Sequence, residues 1–131
     1  MKSDSKYKIE FAGLKIGSHQ FNFNADKKFF DRFNFSDFND VSVNIDIDLI
    51  KKSTLLELEF VLKGVVNVNC DLTNEPFDFQ IKHEASLVVK FGQEYNDEDD
   101  EILVLPHGEH KLYVDQYIFE LIVLSLPPKR I

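Results

Sequence analysis

From residue 56 to residue 91 the chain alternates apolar and polar side chains with a period of two, interrupted by a short polar loop and with Val61 and Val65 as apolar exceptions. Leu56, Leu58, Phe60, Leu62, Val66, Val68 and Cys70 hold even positions, and Glu57, Glu59, Lys63, Asn67 and Asn69 hold odd ones. After Asp71-Leu72-Thr73-Asn74-Glu75-Pro76 the pattern resumes with Phe77, Phe79, Ile81, Ala85, Leu87, Val89 and Phe91 against Asp78, Gln80, Lys82, Glu84 and Lys90. Such alternation sorts side chains onto two faces only in an extended strand. Two such runs joined by a polar loop predict a long β-hairpin with one buried and one wet face. Gly64 sits on the buried parity in mid-strand, which predicts a sharp coil or a bulge there.

The flanking segments supply further elements. Tyr7, Ile9 and Phe11 alternate, as do Phe21 and Phe23, with two glycines between them; they read as a first hairpin. Asp26 is placed to cap one or two helical turns. Val41, Val43, Ile45, Ile47 and Leu49 form another half-wet strand, turned at residues 51–54. Residues 93–101 are an acidic loop, residues 101–105 a short strand ended by Pro106, and residues 107–110 a turn. Val114, Tyr117, Ile118, Leu121, Ile122, Leu124 and Leu126 recur at helical spacing, so residues 115–125 read as a helix with Asp115 at its N-cap and Pro127-Pro128 beyond its end; its β-branched Ile and Val lower helix propensity, and a strand is the competing reading. Without repeat or linker, residues 1–131 read as one domain. Its fold class is α+β: an antiparallel sheet or partly closed barrel on the long hairpin, with a C-terminal helix packed on it. The 13 Phe suit the wide spacing of helix on sheet.

Charge narrows the function. Fifteen basic against 23 acidic residues give a net charge of −8. Phosphate affinity rests on Lys and Arg releasing counterions, and only Arg32 precedes the last two residues, so this is no sequence-blind nucleic-acid binder. A lone Cys70 makes no internal disulfide and fits a reducing compartment. Met1-Lys2-Ser3-Asp4 lacks a signal peptide's apolar stretch, and no apolar run reaches the roughly 18 residues of a membrane span. The cytoplasm is the expected location, with no membrane partner.

No catalytic constellation emerges, and no cofactor or metal is implied. The acidic loop lacks the Gly and the register of a calcium-binding loop. His107 and His110 lack a third ligand at metal spacing and read as an exposed turn, while His83, on the apolar parity, reads as a partly buried, hydrogen-bonded imidazole. Cys70 reads as a small hydrophobe at the hairpin tip, its thiol unassisted by any cation and opposed by Asp71. There is no phosphate-cradling Gly-rich loop and no nucleophile elbow. Binding or assembly is therefore the expected role, and an enzyme is not.

Two blocks carry a family resemblance. Gly64-Val65-Val66-Asn67-Val68-Asn69-Cys70-Asp71-Leu72-Thr73-Asn74-Glu75-Pro76-Phe77 is similar to the strand, Cys-x-x-Cys and Pro-hydrophobic turn of the YceD family. Glu101-Ile102, then Leu112 onward to Phe119-Glu120-Leu121-Ile122-Val123-Leu124-Ser125-Leu126-Pro127, resembles that family's acidic loop, strand and closing helix. The opening Phe11-Ala12-Gly13-Leu14 and Phe21-Asn22-Phe23 resemble its Bacteroidetes-type variant. The resemblance implies a factor for accumulation of large-subunit ribosomal RNA, acting in ribosome assembly or rRNA stability without known catalysis. Thr73 stands where the family's second Cys would be, so a cysteine metal site like that of members with further thiols is not implied here.

The expected partner is a ribosomal protein or a pre-large-subunit particle, with rRNA itself as the alternative; no oligomeric state is implied. Asp97, Asp99 and Asp100 would steer a cationic partner. Direct RNA binding would need Lys63, Lys82 and Lys90, with Asn67 and Asn69, to gather on the wet face of the hairpin.

Overall fold

The computed structural model describes residues 7–35, 38–96, 99 and 101–126. Its elements run β1 (Lys8–Ile9), β2 (Gly17–Asp26), α1 (Lys27–Asp31), β3 (Asp40–Lys51), β4 (Leu55–Asn69), β5 (Pro76–Gly92), β6 (Ile102–Pro106), β7 (Leu112–Tyr113) and α2 (Asp115–Leu124). Five strands form one sheet in the order β2-β3-β4-β5-β6, and β1 pairs with β7 apart from it. The long hairpin is as expected: β4 and β5 pair antiparallel from Leu55↔Lys90 to Asn69↔Pro76.

Register puts the apolar parities of all five strands on one face. Ile45, Leu62 and His83 lie in one row, and Ile47, Phe60 and Ala85 in the next. Most of these apolar side chains are buried, among them Ile45, Ile47, Leu58, Phe60 and Leu62, and each fully buried Leu or Ile contributes about 1.5–3 kcal/mol relative to exposure. The expected cover is present. Helix α2 buries Ile118, Leu121 and Ile122, and its Tyr117 ring lies 4.9 Å from Phe60.

A second knot of aromatic rings ties the N-terminal part to α2. Asp26 caps α1 as expected, its carboxylate accepting from Phe29 N at 3.1 Å. The cap aims Phe29 and Phe30 into the core. Phe30 meets Phe38 edge-on at 4.9 Å, and Phe33 stacks on Phe119 of α2 at 4.3 Å, arrangements worth about 0.5–1.5 kcal/mol per pair beyond area burial. Arg32 donates to Asp115 at 2.9 Å across the same junction.

Several expectations are corrected. The sheet is mixed rather than antiparallel, and it does not close into a barrel: β6 runs parallel to β5. After Gly92, Asn96 bridges Val104 in the antiparallel sense on the outer side of β6, so β6 lies between that segment and β5. The first hairpin does not form. Lys8 and Ile9 pair with Tyr113 and Leu112, while β2 pairs with β3. The N-cap of α2 is Val114, without a side-chain cap bond, and Asp115 is the first helical residue, its carboxylate accepting from Gln116 N through Oδ1 and from Arg32 through Oδ2. Pro127 and Pro128 lie outside the described residues.

Gly64 is also not a bulge, since both of its ladders run in unbroken register. Its role is close approach: a Cβ there would collide with Ser42 O and lie 2.5 Å from Val43 Cα, backbone atoms that cannot rotate aside. Gly64→Ala is therefore expected to destabilise by about 1–3 kcal/mol in urea unfolding, whereas Gly13→Ala, where nothing lies within 4 Å of the new Cβ, is expected to change stability by less than about 0.5 kcal/mol. Equal effects from the two would contradict this reading of Gly64.

Candidate functional site

Three surfaces follow from this frame: the wet face of the sheet, the hairpin tip, and a groove beside α2.

The even residues of β3 and β5 and the odd ones of β4 make the wet face. Lys63 and Lys82 stand directly opposite each other, in a row with Asn44 and Asn24. Asn67 is near them but engaged: Asn39 Nδ2 donates to both Asn67 Oδ1 and Asn69 Oδ1 at 2.9 Å, and Asn67 Nδ2 donates to Asp78 Oδ1 at 2.9 Å. Lys90 is not gathered with them. It pairs with Leu55 at the far end of the hairpin, about 27 Å from Lys82 at the usual rise per residue. Asp40, Asp46, Asp48, Glu57, Glu59, Asp78 and Glu84 share this face by register, so carboxylates outnumber its three lysines.

At the hairpin tip Cys70 lies just past β4 rather than within it. Its N–H donates to Glu75 O and its carbonyl accepts from Asn74 N, both at 2.8 Å. Asn74 takes φ 60°, a left-handed conformation that Asn tolerates. Asp71 opposes the thiolate as expected, but the net direction is the reverse of the expected one. Thr73's N–H and hydroxyl, with Leu72's N–H, donate toward the sulfur and hold its pKa below the ordinary value, outweighing Asp71. Hydrogen bonds to the charged form favour that form. Thr73 occupies the place of the second thiol of a Cys-x-x-Cys pair and acts on Cys70 through its own donors.

The third surface is a groove of about 550 Å³ where β6 stops short of the lower half of β5. Its floor is apolar, with Ala85, Leu87, Leu103 and Leu121; its rim carries Glu84 from β5, Asp99 and Glu101 from just before β6, and Glu120 from α2. Gln116 Nε2 donates to Glu120 Oε2 at 3.0 Å, and Glu101 N donates to Asp99 Oδ1 at 2.8 Å, so two of the four carboxylates are held in place. Tyr117 OH donates to Ser86 O at 3.3 Å and joins α2 to the strand edge. Of the expected acidic residues, Asp99 is on this rim, and Asp97 and Asp100 lie outside the described residues. Glu84 and Glu120 were not singled out by sequence, and Glu101 was read only as the end of the acidic loop. Leu124, counted on the buried helical stripe, is instead 75% exposed beside the groove.

The histidines carry no site. His107 and His110 are exposed. His83 is half-buried opposite Leu62, and its ring makes no hydrogen bond with a described residue, contrary to expectation. No three His, Cys, Asp or Glu gather as metal ligands among the described residues, and no helix of the described residues is long and apolar enough to cross a membrane.

The thiol provides a direct check. Alkylation of Cys70 by iodoacetamide is expected to reach half its maximal rate at a lower pH than that of a free cysteine peptide, because the thiolate is the nucleophile. Thr73→Val, which keeps the N–H and removes the hydroxyl, is expected to move that midpoint back upward part of the way; coincident profiles for all three would overturn the assignment.

The family model described as large ribosomal RNA subunit accumulation protein YceD matches residues 58–131, more than half of the chain. No curated protein and no solved structure matches.

Proposed function

The chain belongs to the YceD family, and from that premise we propose that it serves accumulation of large-subunit ribosomal RNA as a non-catalytic factor in the cytoplasm, binding a ribosomal protein or a pre-large-subunit particle. Family membership supports the process. The observation that supports a protein contact over naked RNA is the sign of the surface. The wet face sets seven carboxylates against Lys63, Lys82 and Lys90, and the groove beside α2 carries four carboxylates, Glu84 being common to both, and no basic residue among the described ones. A polyanion is repelled by such surfaces, whereas a basic protein segment is steered toward them.

Direct rRNA binding is a second reading, supported by the row Asn24–Asn44–Lys63–Lys82. Two lysines directly opposite each other are mildly unfavourable in the free sheet, and a bound phosphate would offset that.

Sedimentation tests the role. The tagged chain is expected to travel with large-subunit precursor particles in a sucrose gradient, and its depletion is expected to lower large-subunit rRNA relative to small-subunit rRNA. An unchanged rRNA ratio after depletion overturns the proposal. Lys63→Ala/Lys82→Ala separates the two readings. Continued co-sedimentation of this variant supports the protein contact, and its loss, together with loss of a gel shift on rRNA fragments, supports the second reading.

A further inference from the structure

We infer that the groove beside α2 takes an extended, lysine- or arginine-bearing segment of a protein partner, which pairs by backbone hydrogen bonds with the free edge of β5. The inference rests on the protein-contact reading above and names its surface.

The edge is the first observation. β6 covers β5 only at residues 88–92. Val88 N donates to Glu101 O, on the side away from β4, so the antiparallel alternation turns the N–H and C=O of Asp78, Gln80, Lys82, Glu84 and Ser86 toward the same side. Of these, the Ser86 carbonyl accepts from Tyr117. The groups of Gln80, Lys82 and Glu84 have no partner on that side among the described residues. An unpaired strand edge is a template for a further strand.

The groove supplies what a strand's side chains would need. Side chains of an added strand alternate between the two faces of the sheet. Those on the core side enter the apolar floor at Leu103 and Leu121, past Leu124. Those on the other side meet Glu84 within the groove and, farther along the edge, Lys82 and Asp78 on the same face; the ends of the segment pass Glu120 on one wall and Asp99 and Glu101 on the other. Every charged side chain lining the groove is a carboxylate. This charge excludes RNA from the groove and selects a cationic segment.

The test titrates the full chain with a synthetic peptide of about ten residues alternating lysine with valine, long enough to span the free edge at the usual rise. A glutamate–valine peptide and a single-stranded RNA oligomer are the counter-probes. The lysine peptide is expected to protect the amides of Gln80, Lys82 and Glu84 from hydrogen exchange, with affinity that falls between about 50 and about 300 mM salt. The counter-probes are expected to leave those amides unprotected. Glu84→Gln/Glu101→Gln/Glu120→Gln, all at exposed positions, is expected to weaken the lysine peptide at least about tenfold with melting temperature unchanged. Leu124→Ser, equally exposed, is expected to weaken it without altering its salt dependence. Undiminished binding to the triple variant, protection elsewhere on the sheet, RNA protecting these amides, or peptide-free protection that grows with protein concentration (a second copy on the edge) each overturns the inference. The gradient experiment separates this from the family role. If wild type and triple variant both travel with precursor particles, the groove inference falls and the role stands. If the peptide protects the edge but neither protein travels with particles, the role falls and the groove stands.

Discussion

The pairing of β4 with β5 is the constraint on which the other parts depend. β4 is the middle strand, and its even side chains make the floor that β3 extends on one side and β5 on the other. A slip of one residue would turn Leu58, Phe60 and Leu62 to water and bring Glu57, Glu59 and Lys63 inward. Phe60 would then no longer meet Tyr117, and α2 would lose the surface on which Ile118 and Ile122 are buried. The unpaired half of β5 follows from the same geometry, because the hairpin is long and β6 is short.

What was legible in the sequence was what local periodicity encodes. The alternation within residues 56–91 carries its own face assignment, and Asp26 carries its own cap, so both were read correctly. Pairing partners are another matter. Tyr7, Ile9 and Phe11 alternate no less cleanly than Phe21 and Phe23, yet Ile9 finds Leu112, about a hundred residues away, instead of β2. The parallel course of β6 depends on how the chain between Gly92 and Ile102 turns, and an acidic composition does not encode a direction. Asp115 had the chemistry of an N-cap but sits one residue inside the helix, where it also meets Arg32, a partner 83 positions away that no local pattern shows.

The site was legible in the same uneven way. Parity alone brought Lys63 and Lys82 to one face, because cross-strand neighbours follow once the hairpin register is known. It did not show that Asn67 and Asn69 are tied to Asn39, nor that Thr73 acts on Cys70. The groove was invisible for a structural reason. Its carboxylates come from β5, from just before β6 and from α2, and each alone has the composition of an ordinary solvated position. Only their convergence over an apolar floor distinguishes them.

The convergence also bears on how an acidic protein can act in a process centred on RNA. Exposed charges farther apart than about 8–10 Å are largely screened at physiological salt, so the net charge of −8 sets solubility and encounter more than it sets binding. Specific attraction needs carboxylates held together where a low-dielectric wall limits screening. The wet face spreads its carboxylates along open strands, interleaved with lysines. The groove sets Glu84 and Glu120 on regular elements and Asp99 in a hydrogen-bonded turn, around Leu103 and Leu121. Of the two surfaces, therefore, the groove has the geometry for recognition and the wet face the geometry for steering. A cationic segment drawn in by the field of the whole chain would find apolar contact and backbone partners only beside α2.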